Sequence, residues 1–223
     1  MHKTQIAWLG YAKTIFTAVQ RGHRCDALVA PPIDGSLRWP GYVGRDYHKA
    51  KAKMLFVGRE HNANPDKWDD RHGLGNLERM IKPWLKGDIE DEAFFQKYAT
   101  AYGEALTSWG PWQKVFGLLA RRAGLTEHEV AYTNLSKCWK WNGSATACMR
   151  RCGQDFPLDD LIEIIRPDLV MILAKPNTLD SYVNGTPRIG AADIHCDSAP
   201  HFNLTKKQLQ EALTWVDAKL NIS

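Results

Sequence analysis

Nowhere does this sequence hold an apolar run approaching the roughly 20 residues that cross a bilayer, so a helical membrane anchor is not expected. Its opening, Met1-His2-Lys3-Thr4-Gln5-Ile6, lacks the apolar stretch of about 7–15 residues that drives secretion. Cysteine is scarce: five residues, odd in number and scattered, do not make a disulfide framework. Together these absences point to a cytoplasmic protein of a reducing compartment. There is also no internal repeat and no low-complexity segment, which excludes solenoids and arrays. Neither sign of charge dominates, with 29 Lys and Arg against 25 Asp and Glu; the net charge of +4 permits an anionic partner without requiring one. What is present suits one compact domain: 223 residues, 44% of them apolar, enough for a single core. Nine tryptophans are many for this length. Most should pack in the core, and a few are available to stack on bases.

Residues 1–50 carry the weakest pattern. Ile15 to Val19 fits a short helix, then Pro31, Pro32, Gly35, Pro40 and Gly41 impose turns, so this stretch is expected to be an N-terminal extension packed on a core formed by 51–223. Met54-Leu55-Phe56-Val57, ended by Gly58, reads as a buried parallel strand. Residues 59–76 are dense in Pro, Gly, Asn, Asp and His, as in a long functional loop. Phe94, Tyr98, Tyr102, Ala105 and Trp109 recur at helical spacing. Pro111 opens another helix bearing Val115, Leu118 and Leu119. A second strand is expected from Glu129 to Leu135. An amphipathic helix follows through Leu158, Leu161, Ile162 and Ile165, stopped by Pro167. Leu169 to Leu173 is apolar on both faces, a last short strand falls near Ala191 to His195, and Leu209, Leu213, Val216 and Leu220 mark a closing helix. Strands alternating with helices predict an α/β fold, a three-layer α/β/α sandwich on a mainly parallel sheet. In such sheets ligands gather beyond the carboxyl ends of the strands.

Three of those ends are rich in polar groups. They are Gly58-Arg59-Glu60-His61-Asn62-Ala63-Asn64-Pro65, then Thr133-Asn134-Leu135-Ser136-Lys137-Cys138, then His195-Cys196-Asp197-Ser198-Ala199-Pro200-His201. Any one of them could be turn chemistry alone. Three converging on one edge argue for a site. In order and content these segments resemble the uracil-DNA glycosylase superfamily. The middle one is similar to the iron–sulfur branch, as are the later Cys152, the helix after it, and Arg166-Pro167-Asp168-Leu169-Val170. His201-Phe202-Asn203 and a final helix bearing Trp215 resemble the closing segment, so the likeness covers residues 51–220.

The sequence also departs from the family. Glu60 stands where most relatives carry Asp or Asn, and His61 replaces the usual Pro. His195-Cys196-Asp197-Ser198 only approximates the His-Pro-Ser loop, which leaves His201 as a rival for the histidine role. The N-terminal Cys-x-x-Cys that completes the iron–sulfur ligand set is absent. No cofactor is therefore expected; a cluster or zinc would have to draw on Cys25, Cys138, Cys148 and Cys152.

The resemblance implies a monofunctional DNA glycosylase that flips a modified pyrimidine, uracil or a hypermodified cytosine of phage DNA, into a pocket and leaves an abasic site, in repair or phage defence. Glu60 would position the water and stabilise the oxocarbenium-like sugar, and His195 or His201 would stabilise the departing base. Asn134 would read the base, with Gly58, His61, Asn62 and Ser198 around it and Trp68 stacked on it. Lys137, Lys140, Arg150 and Arg151, interleaved with Trp139 and Trp141, suit phosphate contacts. DNA is the expected partner of a monomer. Two alternatives stay open: a nucleic-acid-binding protein that kept the fold without the chemistry, and a nucleoside or nucleotide hydrolase.

Overall fold

A computed structural model describes residues 1–20, 40–58, 74–108, 112–135, 156–172, 195–198 and 205–221. The sheet is built where the sequence is apolar on both faces. Strand β2 (Met54–Gly58) is buried at every position, and so is β3 (Ala131–Asn134). Strand β4 (Leu169–Ile172) runs through the buried Leu169, Val170 and Met171. Successive side chains of a strand face opposite ways, so continuous burial means that both faces of the middle strands are covered. Strands β1 (Tyr42–Val43) and β5 (His195–Ser198) complete the order β1-β3-β2-β4-β5, with β1 antiparallel to β3 and every other pairing parallel. The result is an α/β fold on an open, mainly parallel sheet.

The helices follow their apolar stripes. Helix α1 (Lys3–Gln20) buries Trp8, Leu9, Ala12, Ile15 and Phe16. Helix α2 (Leu74–Lys86) buries Ile81 and Trp84, and α3 (Asp91–Ser108) buries Phe94, Phe95, Tyr98, Ala99, Tyr102, Ala105 and Leu106. Asp91 ties these three together, accepting hydrogen bonds from Lys13 Nζ and Trp84 Nε1, both at 2.8 Å. Those two donors, Lys13 first, hold its carboxyl below the ordinary aspartate value. The Trp84 and Phe94 rings stack beneath it, 3.9 Å apart. A π-helical turn (Trp112–Phe116) leads into α4 (Gly117–Arg122), which packs with α6 (Lys206–Leu220). Helix α5 (Leu158–Ile165) lies against α1, ends on Arg166 in the left-handed region at φ 46°, and is followed by Pro167, the expected stop.

Several boundaries differ from the sequence expectation for identifiable reasons. Residues 1–20 and 40–50 supply fully buried members of the core through α1 and β1. Glu129 does not begin the second strand. Its carboxylate accepts from the backbone N–H and hydroxyl of Thr126, at 3.0 and 2.9 Å, and caps a short 3-10 turn (Glu127–Glu129) before β3 starts. The helix expected from Pro111 opens as the π turn. The last strand runs on past His195 to Ser198 instead of ending there.

The N-terminus of α1 carries a pH-sensitive contact. The rings of His2 and His48 stack with centroids 4.6 Å apart, and Thr4 N–H donates to His2 Nδ1 at 3.2 Å. Burial, then the His2 and Lys49 charges, press the His48 imidazole below its ordinary value, against a smaller opposite pull from Asp46. A histidine whose folded value is lowered stays neutral in the native state while the unfolded chain takes up the proton. Stability from this contact is therefore full above pH 6.5 and is lost as pH falls below it. Between about pH 7.5 and 5.5 the urea midpoint should drop less in His48→Gln than in the wild type. Equal drops would show that the stack carries no linkage.

Candidate active site

The strand order sets a topological switch point between β2 and β4. Beyond β2 the chain turns to β3 on one side, whereas beyond β4 it turns to β5 on the other. Where neighbouring connections diverge in this way, the carboxyl ends of the strands leave an opening for a ligand. Register puts Gly58 opposite Asn134 and Val57 opposite Ile172, and Ile172 opposite Ser198, so those residues form one edge.

At this edge β3 contributes two side chains to one face. Tyr132 and Asn134 are two positions apart, and both are almost wholly buried, at 2% and 1% exposure. The Tyr132 hydroxyl donates to Asn134 Oδ1 at 2.5 Å. Burial pushes the phenol well above its ordinary value, with the Tyr102 hydroxyl adding to the shift and the hydrogen bond to Asn134 opposing it. The phenol thus stays protonated and acts as a donor. Gly58 is required beside this pair. A Cβ at Gly58 would lie 2.5 Å from the Tyr132 hydroxyl oxygen and inside contact distance of Asn134 Oδ1. The Leu135 N–H donates to the Gly58 carbonyl at 2.8 Å, continuing the ladder past the end of β3.

Below the amide lies an aromatic layer. The Phe116 ring sits 5.6 Å from Tyr132 and 5.1 Å from Phe56, and Trp112 meets Phe56 edge-on at 6.3 Å. Trp112 and Phe116 are the two ends of the π turn, an irregularity found often at functional sites. Thr133 faces the other way: its hydroxyl donates to the Pro40 carbonyl at 3.2 Å, next to Gly41, whose φ of +99° lets the backbone pass close to β3. Tyr98 secures that passage by donating to the Gly41 carbonyl at 2.8 Å.

Of the residues singled out from sequence, Gly58, Asn134 and Ser198 all lie at the carboxyl edge. His195 does not. It pairs with Leu169, the first residue of β4, and three residues of strand, about 10 Å, separate it from Ser198 and the edge. The expectation that His195 follows the strand is corrected accordingly. Glu60, His61, Asn62, Trp68, Lys137, Lys140, Arg150, Arg151 and His201 lie outside the described residues, as do Cys25, Cys138, Cys148 and Cys152. Among the described residues no three His, Cys, Asp or Glu side chains gather as metal ligands, and no helix is long and apolar enough to cross a membrane.

No protein-family model matches this chain, and no curated protein matches it. Sequence reasoning had singled out Asn134 but not Tyr132 as a site residue, nor the aromatic layer beneath it. The signal for Tyr132 was present in the period-two spacing that sets it on the same face as Asn134.

Proposed function

We propose that this protein is a monofunctional DNA glycosylase of the uracil-DNA glycosylase type, on a three-layer α/β/α fold, that removes a flipped modified pyrimidine. The observation that carries the reading is the buried Asn134 amide at the carboxyl edge, fixed by Tyr132 and faced by a residue without a side chain. An amide with a donor and an acceptor matches one edge of a pyrimidine.

The chemistry then falls to groups that follow the strands. Glu60 comes two residues after Gly58, so the chain alone keeps the two Cα atoms within about 7 Å. Its carboxylate orients the attacking water and offsets the positive charge that builds on the sugar as the C1′–N bond breaks. The electron pair leaves with the base, which needs a donor. With His195 set back along β5, His201 takes that role. Lys137, Lys140, Arg150 and Arg151 bind phosphates.

The test is release of base, read as abasic sites cleaved by alkali, from duplex and single-stranded DNA carrying uracil or modified cytosines. Asn134→Asp replaces a donor by an acceptor, and a mismatched buried polar group costs about 1–3 kcal/mol. Discrimination among bases should therefore fall by roughly one to two powers of ten, while binding to abasic product DNA changes little. Equal loss on both DNAs would mean that Asn134 holds the loop and reads nothing. Activity on free nucleosides without dependence on polymer length would replace the reading with a nucleoside hydrolase.

A further inference from the structure

One face of α1 is turned away from the core. Lys3, Ala7, Gly10 and Thr14 are all exposed, and their spacing of four, three and four residues sets them in a single line down the helix. Ile6, 53% exposed, flanks that line. Gly10 sits inside the helix, where glycine is a poor helix former. A Cβ there would meet no neighbouring atom within 4 Å, so packing within the chain does not call for a glycine. A backbone bared in this way lets another helix approach closely. Beside the line, between α1 and α5, lies a groove of about 360 Å³. It is lined by Tyr11, Thr14, Phe156 and Ile164 and by the carboxylates of Asp160 and Glu163. The two acids are exposed, and neither they nor Lys3 form an ion pair among the described residues. Aromatic rings beside carboxylates suit a cation carried on an apolar stem.

We infer that this face is a self-association surface on which two copies of the chain pair α1 against α1, antiparallel, in place of the monomer expected from sequence. The line of exposed residues fixes the register. A two-fold axis between Ala7 and Gly10 sets Ala7 of each copy against Gly10 of the other, and brings Lys3 level with Thr14 of the other at the groove. The Lys3 ammonium then meets Asp160 and Glu163 of the other copy, and symmetry makes the contact twice. Close approach at the crossing and opposite charges at both ends are what such a pairing needs, and the same helix face supplies both. A single pair of helices buries less than the roughly 1,200 Å² of a tight complex, so the dimer is weak, with a dissociation constant on the order of 100 µM. The pairing involves no residue of the carboxyl edge and does not depend on the reaction assigned to it.

Sedimentation velocity from about 10 µM to about 1 mM protein spans the expected dissociation constant. The wild type should pass from monomer to dimer across that range, and raising salt from about 0.05 to about 0.5 M should weaken the dimer about threefold or more. Gly10→Leu fills the crossing but points into open space in the single chain. It should weaken the dimer about tenfold or more without lowering the melting temperature. Lys3→Glu alone, and Asp160→Lys with Glu163→Lys in a second variant, should each abolish the dimer by setting like charges together. Mixing these two variants puts opposite charges at both ends again and should restore a dimer, now of unlike copies. A wild type that stays monomeric throughout overturns the proposal, as does a dimer that every variant leaves intact. Failure of the mixed variants to associate overturns the antiparallel register and the proposal with it. A monomeric wild type whose groove instead takes lysine ethyl ester, read as chemical-shift changes lost in Asp160→Asn with Glu163→Gln, assigns the groove to a small cation and overturns pairing between copies.

Discussion

Replacing Glu60 by Gln should slow single-turnover base release by about a hundredfold or more, the scale of removing one positioned catalytic group. The variant keeps size and hydrogen-bonding capacity but loses the negative charge. If that charge offsets the cationic sugar in the transition state, the loss falls on the chemical step. Affinity for DNA should hold or rise slightly, since a carboxylate near phosphates repels them. The measurement is a single-turnover time course with enzyme in excess, beside a binding titration on the same duplex. Wild-type rates in the Gln variant would remove Glu60 from the reaction. A rate that falls in step with affinity would make it a binding residue only.

Gly58→Ala should be nearly as damaging, and for a different reason. The added methyl group would lie 2.5 Å from the Tyr132 hydroxyl oxygen and closer still to Asn134 Oδ1. Neither neighbour can retreat easily. The phenol is backed by Phe116, and the amide is 1% exposed. Overpacking of this kind typically costs about 1–3 kcal/mol in stability. It also breaks the Tyr132–Asn134 hydrogen bond, and small misplacements of a positioning group can cost about a hundredfold in rate. Urea unfolding gives the first quantity and base release the second. A variant with wild-type stability and rate would show that Gly58 merely ends a strand. A stable variant with a slow reaction would locate the damage at the amide.

How far each element could be read from sequence depended on whether its burial left a periodic trace. Strands β2 and β4 were legible because both of their faces are covered, which forces an unbroken apolar run such as Met54 to Val57. Helix α5 was legible from four apolar residues on one stripe. The carboxyl end of β5 was not legible because His195, Cys196, Asp197 and Ser198 carry no hydrophobic pattern; their pairing with β4 identifies them as strand. Helix α1 was underestimated because its buried residues, Trp8 to Phe16, are interleaved with Gly10, Lys13 and Thr14, which blurs the stripe. Glu129 looked like a strand residue by position, yet its carboxylate serves Thr126. At the site, Asn134 stood out through the motif around it. What Tyr132 does could not be read there, since it depends on Gly58 lying opposite Asn134 across two strands separated by more than 70 residues of chain.

The position of β2 at the middle of the sheet has a consequence for how the chain reaches its native state. This strand is synthesised early, but both of its neighbours come much later. The backbone N–H of Lys53 donates to the Asp168 carboxylate at 2.8 Å, and the Lys53 carbonyl accepts from Asp168 N–H at the same distance, so two groups 115 positions apart lock the amino ends of β2 and β4 together. Helix α1 likewise waits for α5. A nascent chain shorter than about 170 residues therefore exposes its most apolar strand with one side unpaired, a state prone to clump with its own kind. Closing such distant pairings is slow compared with forming local ones. Folding should accordingly be late and all-or-none, completed only once β4 has emerged from the ribosome to pair with β2.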